Sequence, residues 1–149
     1  MKVLLAYDGA DHSQPALDEV AKIAKEEDNV FVEILSVVAP EDAPTRFATG
    51  ERPHAHEHVE RAHAYLRERG ILADVKVEAG DPAAKIIDEA REGGYDLIVT
   101  GTRGRGPVAR LLLGSVSHKL ADATPCTLLV VSKDHRLRVE PQVRVEDGA

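Results

Sequence analysis

The run VTGTRGRGPVARLLLGSVSHKL, residues 99–120, decides how the chain is read. It completes an apolar strand, YDLIVT (95–100), crosses a loop, and enters a helix that starts near Ser115 and is stopped by Pro125. Three glycines are placed in it: Gly101, Gly104 after two residues, and Gly114 after nine more, followed at once by Ser115. Glycine suits backbone that must take positive φ or approach a ligand closely. The loop leaves the carboxyl end of a strand, where open α/β sheets form their ligand crevices. It ends at a helix start, whose unpaired N–H groups and positive dipole end suit a phosphate. Between Asp96 and Asp122 there is no acid, while Arg103, Arg105, Arg110 and Lys119 fall inside. In a chain of net charge −7 that makes one local basin for an anion.

Outward from this unit, apolar runs alternate with helical periods. VLLAY (3–7) reads as a strand buried on both faces. DGADHSQP (8–15) is a turn with a helix start, Ser13 as candidate cap and Pro15 in the first turn. Ala16, Val20, Ile23 and Ala24 then recur at helical spacing. VFVEILSVV (30–38) is a second strand, and a long polar connection with three prolines leads to a helix from about His54 to Gly70. LADVKVEA (72–79) alternates apolar and charged residues, which predicts a third strand that is half exposed or at an edge. Asp81 caps a third helix with Pro82 at its first position. TLLVVS, from Thr127 to Ser132, is the fifth strand. Five strands alternating with four helices predict a doubly wound α/β domain of Rossmann-like type over residues 1–132.

Composition bounds the rest. With 43% hydrophobic residues but two Phe, three Tyr and no Trp, the core must be aliphatic. The net charge of −7 argues against a nucleic-acid binder, which needs a basic face. Asp8 ends the first apolar run too soon for a signal peptide, and nothing approaches the roughly 20 apolar residues of a membrane span. Cys126 is alone, so no internal disulfide forms, and a cytoplasmic protein is expected.

Two familiar phosphate motifs fail. A P-loop needs Lys before Ser115, and the dinucleotide fingerprint needs G-x-G-x-x-G after the first strand, not G-x-x-G-x-G after the fourth. The spacing Gly-x2-Gly-x9-Gly-Ser, with Asp8 behind the first strand, instead resembles the ATP-binding class of the universal stress protein family. VLLAYDGADHSQPAL, DLIVTGTRG and TPCTLLVVS resemble that family's first, fourth and fifth strands, so the likeness covers about residues 2–132. One departure is Ala10, where the family usually has Ser.

The resemblance implies a mostly parallel five-stranded sheet of order 3-2-1-4-5 with helices on both faces. It implies an ATP site, with or without Mg2+, in which Asp8 and the Gly101 backbone hold the ribose hydroxyls. The Val37 main chain would meet the adenine edge, and Ala6 and Tyr7 would line the pocket. Arg103, Gly104, Gly114, Ser115, Val116 and Ser117 would wrap the phosphates. It also implies a homodimer through the fifth strand, and a stress-response binding module that acts through a protein partner not named by the sequence. A slow ATPase or a phospho- or nucleotidyl-transferase is the alternative. Phosphoryl transfer asks for a positioned base and metal-binding carboxylates, and the acids nearest the loop in sequence, Asp96 and Asp122, lie outside it.

Other features admit plainer readings. His54, His56, His58 and His63 fall within ten residues, and His54 and His58 could share a helix face and a metal. A solvated helix start is the simpler reading. Cys126 reads as a small core or interface residue, not a nucleophile. KDHRLRVEPQVRVEDGA (133–149) reads as a flexible charged tail or as an added strand or dimer arm.

Overall fold

The computed structural model describes residues 1–38, 53–102 and 114–142, with 53–56 described by their backbone alone. Six strands form one sheet in the order β3-β2-β1-β4-β5-β6. They are β1 (Lys2–Ala6), β2 (Phe31–Val38), β3 (Ala73–Ala79), β4 (Leu97–Gly101), β5 (Thr127–Val131) and β6 (Arg136–Val139). The helices between them are α1 (Gln14–Glu26), α2 (Pro53–Glu68), α3 (Pro82–Glu92) and α4 (Ser115–Ala123). The first five strands run parallel, with β1 between β2 and β4.

Side-chain alternation sorts the core into two layers. Val3, Leu5 and Tyr7 pack with Leu17 and Val20 of α1 and with Val59 and Leu66 of α2. Leu4 and Ala6 face the other way, onto Ile86 and Ala90 of α3 and Leu120 of α4. Both faces of β1 are therefore covered, which is why its sequence is a continuous apolar run. β3 lies at an edge with Val75 exposed, as its alternation predicts.

Helix punctuation is met at α3, where the Asp81 carboxylate accepts from the Ala84 amide at 3.0 Å and Pro82 opens the helix. At α1 it differs. Ser13 precedes the helix but makes no side-chain cap bond, because its hydroxyl is engaged by Asp8.

The sheet gains a sixth strand from the segment expected, on its simpler reading, to be a flexible tail. A turn closed by the Ser132 amide donating to the His135 carbonyl at 2.8 Å returns the chain antiparallel to β5. Leu137 and Val139 pack against the α3–α4 layer, so burial of two apolar side chains holds the strand down. On the opposite face Arg136 grips Glu19 of α1 through Nε and Nη2, at 2.7 and 2.6 Å. β6 thus lies on the edge of β5 where a second copy of the chain was expected.

Candidate functional site

The sheet order reverses direction between β1 and β4, and at their carboxyl ends lies a cavity of about 310 Å³. Such switch points collect ligands because the connections leave to opposite faces and part there. Its walls are the ends of β1, β2 and β4, the turn before α1, and the first turns of α3 and α4.

Nine residues picked from the sequence line this one cavity. Ala6, Tyr7 and Asp8 come from the end of β1, and Val37 comes from β2. Gly101 closes β4, and Gly114, Ser115, Val116 and Ser117 open α4. Arg103 and Gly104, with Arg105 and Arg110, lie outside the described residues. Sequence reasoning missed other parts of the wall, chiefly His12 and Ser13, with Leu35, Pro82, Ile86 and Thr100. His12 and Ser13 stood four and five residues after Asp8, a spacing that one tight turn folds back onto the carboxylate.

That turn is built in detail. Gly9 has φ of 81°, and a Cβ there would stand 2.3 Å from the His58 ring. A left-handed, crowded position of this kind admits only glycine. His58, a member of the histidine run, therefore packs on the turn; among the described residues no three metal-ligating side chains form a group. The Ala10 amide donates to Asp8 Oδ1 at 2.9 Å and the Ser13 hydroxyl to the same oxygen at 2.7 Å. Ser13 Oγ also lies 2.8 Å from the Ala10 carbonyl, but its single proton favours the charged acceptor. His12 Nε2 stands 2.9 Å from Asp8 Oδ2. Burial by itself would raise the Asp8 pKa; the bonds from Ser13 and Ala10, with His12 alongside, outweigh it and hold the carboxyl below its usual value. Asp8 is an ionised, oriented acceptor. The Ser that is absent at position 10 is thus not needed for a hydroxyl here, since Ser13 supplies one.

The two glycines of the cavity differ in kind. A Cβ on Gly101 would lie 2.2 Å from the His12 carbonyl oxygen, so β4 touches the turn before α1 backbone to backbone. Among the described residues a Cβ on Gly114 would meet nothing nearer than Ser117 Oγ at 4.0 Å, and its φ of −67° is open to any residue. Neither its conformation nor its packing against the described residues asks for glycine at 114.

Behind Gly114, α4 begins with no side-chain cap and no acid in its first turn. Gly114–Ser117 line the cavity, so the first N–H groups and dipole end of the helix lie there with no side-chain cap among the described residues.

A family model described as the universal stress protein family matches residues 1–132. Universal stress protein YxiE of Bacillus subtilis is 34% identical over 146 residues, covering 87% of this chain and 97% of that one. A universal stress protein solved in complex with cAMP superposes with a TM-score of 0.71 at 24% identity, over 88% of this chain and 96% of the other. A family protein from Arabidopsis thaliana, solved with AMP bound, gives 0.63 at 19% identity, over 88% and 90%. With the family model spanning most of its length and a third of its residues shared with YxiE, this chain belongs to the universal stress protein family.

Proposed function

We propose that the cavity binds an adenine nucleotide, ATP with or without Mg2+, and that the protein is a nucleotide-responsive binding module of the stress response, acting as a homodimer on a protein partner. The observation that carries this is Gly114. Among the described residues nothing packs against a Cβ at this position or caps the helix behind it, and it stands at an open cavity beside an ionised carboxylate. Backbone approach by a phosphate gives that glycine a purpose. Asp8 and the Gly101 main chain are within the same cavity to take ribose hydroxyls, and Val37 and Ala6 supply an apolar wall for a base. Relatives that bind cAMP and AMP on the same fold support an adenine nucleotide.

The binding reading is favoured over catalysis by how Asp8 is used. Its acceptors turn to Ala10, Ser13 and His12, which suits a hydroxyl acceptor and leaves little for a metal or for a substrate proton. Denaturing the freshly purified protein and chromatographing what it releases tests the reading. Intact ATP is the expected result; ADP or AMP in its place moves the assignment to hydrolysis. With nucleotide-free protein, a melting temperature that ATP, ADP and AMP all leave unchanged removes the proposal.

A further inference from the structure

We propose that His12 sets how the ribose is held: by occupying Asp8 Oδ2 it leaves the carboxylate a single acceptor site, so that Asp8 takes one ribose hydroxyl and not the pair. This deepens, and rests on, the nucleotide reading above. A carboxylate offers about four lone-pair directions, two on each oxygen. Oδ1 has spent both, on the Ala10 amide at 2.9 Å and the Ser13 hydroxyl at 2.7 Å. Oδ2 has spent one, on His12 Nε2 at 2.9 Å, which requires the imidazole to carry a proton there. Among the described residues one direction remains without a donor, on Oδ2, while the side chain of Asp8, which lines the cavity, is still about half exposed (47%).

His12 is held where it stands. The Ser13 amide donates to the Ala10 carbonyl at 2.9 Å, closing the turn, and Gly101 lies against the His12 carbonyl so closely that even a methyl group would not fit. The imidazole itself is three-quarters covered. The carboxylate therefore cannot rotate to straddle a cis-diol without giving up one of three donors. A ribose with one hydroxyl on Oδ2 must place the other elsewhere, and the main chain of Gly101 is the neighbour available at the same end of the cavity. His12 is a positioning residue in this scheme. It acts on the ligand through Asp8.

The test is calorimetric titration of AMP, 2′-deoxy-AMP and 3′-deoxy-AMP into nucleotide-free parent protein, His12→Gln and His12→Ala. In the parent, one deoxy analogue should bind more than about tenfold weaker than AMP and the other about threefold weaker, as a bond to a charged group exceeds one to a neutral main-chain group. Gln can present its Nε2 where the histidine Nε2 stands, so His12→Gln should keep that gap. His12→Ala frees the second site on Oδ2, and the gap should fall below about threefold as the carboxylate reaches both hydroxyls. Equal penalties in the parent overturn the proposal without any variant, and so does a gap that survives in His12→Ala. If AMP binds and neither analogue is weakened, the ribose assignment to Asp8 fails as well. If AMP does not bind at all, the nucleotide reading itself has failed.

Discussion

The two ends of the sheet treat their polar groups in opposite ways. At the carboxyl end, among the described residues, α4 starts without a side-chain cap, a Cβ on Gly114 meets only Ser117 Oγ, and Asp8 keeps one acceptor direction without a donor. Toward the amino end, beneath α3, charges close on one another. Lys2 donates to the Gly93 carbonyl and lies over the rings of Phe31 and Tyr95. Lys76 bonds Glu89 at 2.7 Å and Glu78 at 3.1 Å. Glu33 lies beside Glu89 and Tyr95, with its Oε1 buried and without a hydrogen-bond donor from another side chain. A proton on Glu33 gives that carboxyl something to donate to Glu89. Spare hydrogen-bonding capacity that opens on a cavity marks a ligand site; capacity spent inside the protein marks a fixture of the fold.

The largest effect should come from filling the open end. Gly114→Val should leave the melting temperature of the nucleotide-free protein nearly unchanged, since among the described residues the new Cβ meets only Ser117 Oγ, at 4.0 Å. It should abolish stabilisation by ATP, worth about 2.7 kcal/mol at 100 times the dissociation constant. Thermal denaturation with and without ATP reads both, and a variant that is still stabilised breaks the contrast between the two ends.

Gly101→Ala comes next and should do the reverse. Its methyl would sit 2.2 Å from the His12 carbonyl, an overpacking that costs about 1–3 kcal/mol and should appear in the nucleotide-free protein. A Gly101→Ala protein as stable as the parent would show that β4 and the turn before α1 are not locked together.

At the closed end the readout is pH. Burial first, and the Glu89 carboxylate with it, pushes the Glu33 pKa up from 4.5 to about 7. The folded protein thus holds that proton more tightly than the unfolded chain, so the contribution is complete below about pH 4.5 and lost as pH rises through 7. Glu89 moves oppositely: burial would raise it, but the bond from Lys76 wins and its pKa is lowered. Its contribution is present above 4.5 and lost as pH falls. Glu33→Gln, which donates at every pH, should match the parent near pH 4.5 and become progressively more stable than it toward pH 8. Parallel pH profiles for the two proteins would end the assignment.

The smallest effect belongs at the side of the sheet. Arg136→Ala removes a clasp whose arginine is half exposed, so stability should fall by no more than about 1 kcal/mol. Amide exchange should rise in β6 and along its partner β5. Light scattering on the same variant tests how two copies would meet. A dimer fraction that grows when the clasp is weakened means β6 must leave the β5 edge, and an unchanged fraction puts the junction elsewhere.

Much of this was legible in the chain. Alternating apolar runs and helical periods, with caps at Asp81 and stops at Gly70 and Pro125, dictate an α/β sheet because burial demands those periods locally. The glycine spacing, the missing acids and Asp8 marked a site whose described members do share one cavity. Less legible was β6, whose four residues alternate too briefly to separate a strand from a tail; it exists because β5 offers an unpaired edge and α1 offers Glu19. Ser13 read as a cap because capping is a local habit of serine, and the pull of the Asp8 carboxylate is visible only once the turn is closed.

The sequence by itself determined the periodicities, the charge basin and the places where glycine stands, since these follow from each residue and its near neighbours. Only the tertiary structure decided which of the two glycines is pressed against the protein's own backbone. Gly101 and Gly114 look alike in a spacing motif; one is pressed against a backbone carbonyl from a turn some ninety residues away in the chain, and the other meets only Ser117 Oγ, at 4.0 Å, among the described residues. That difference depends on what packs opposite, and contacts between distant segments are not written in either neighbourhood.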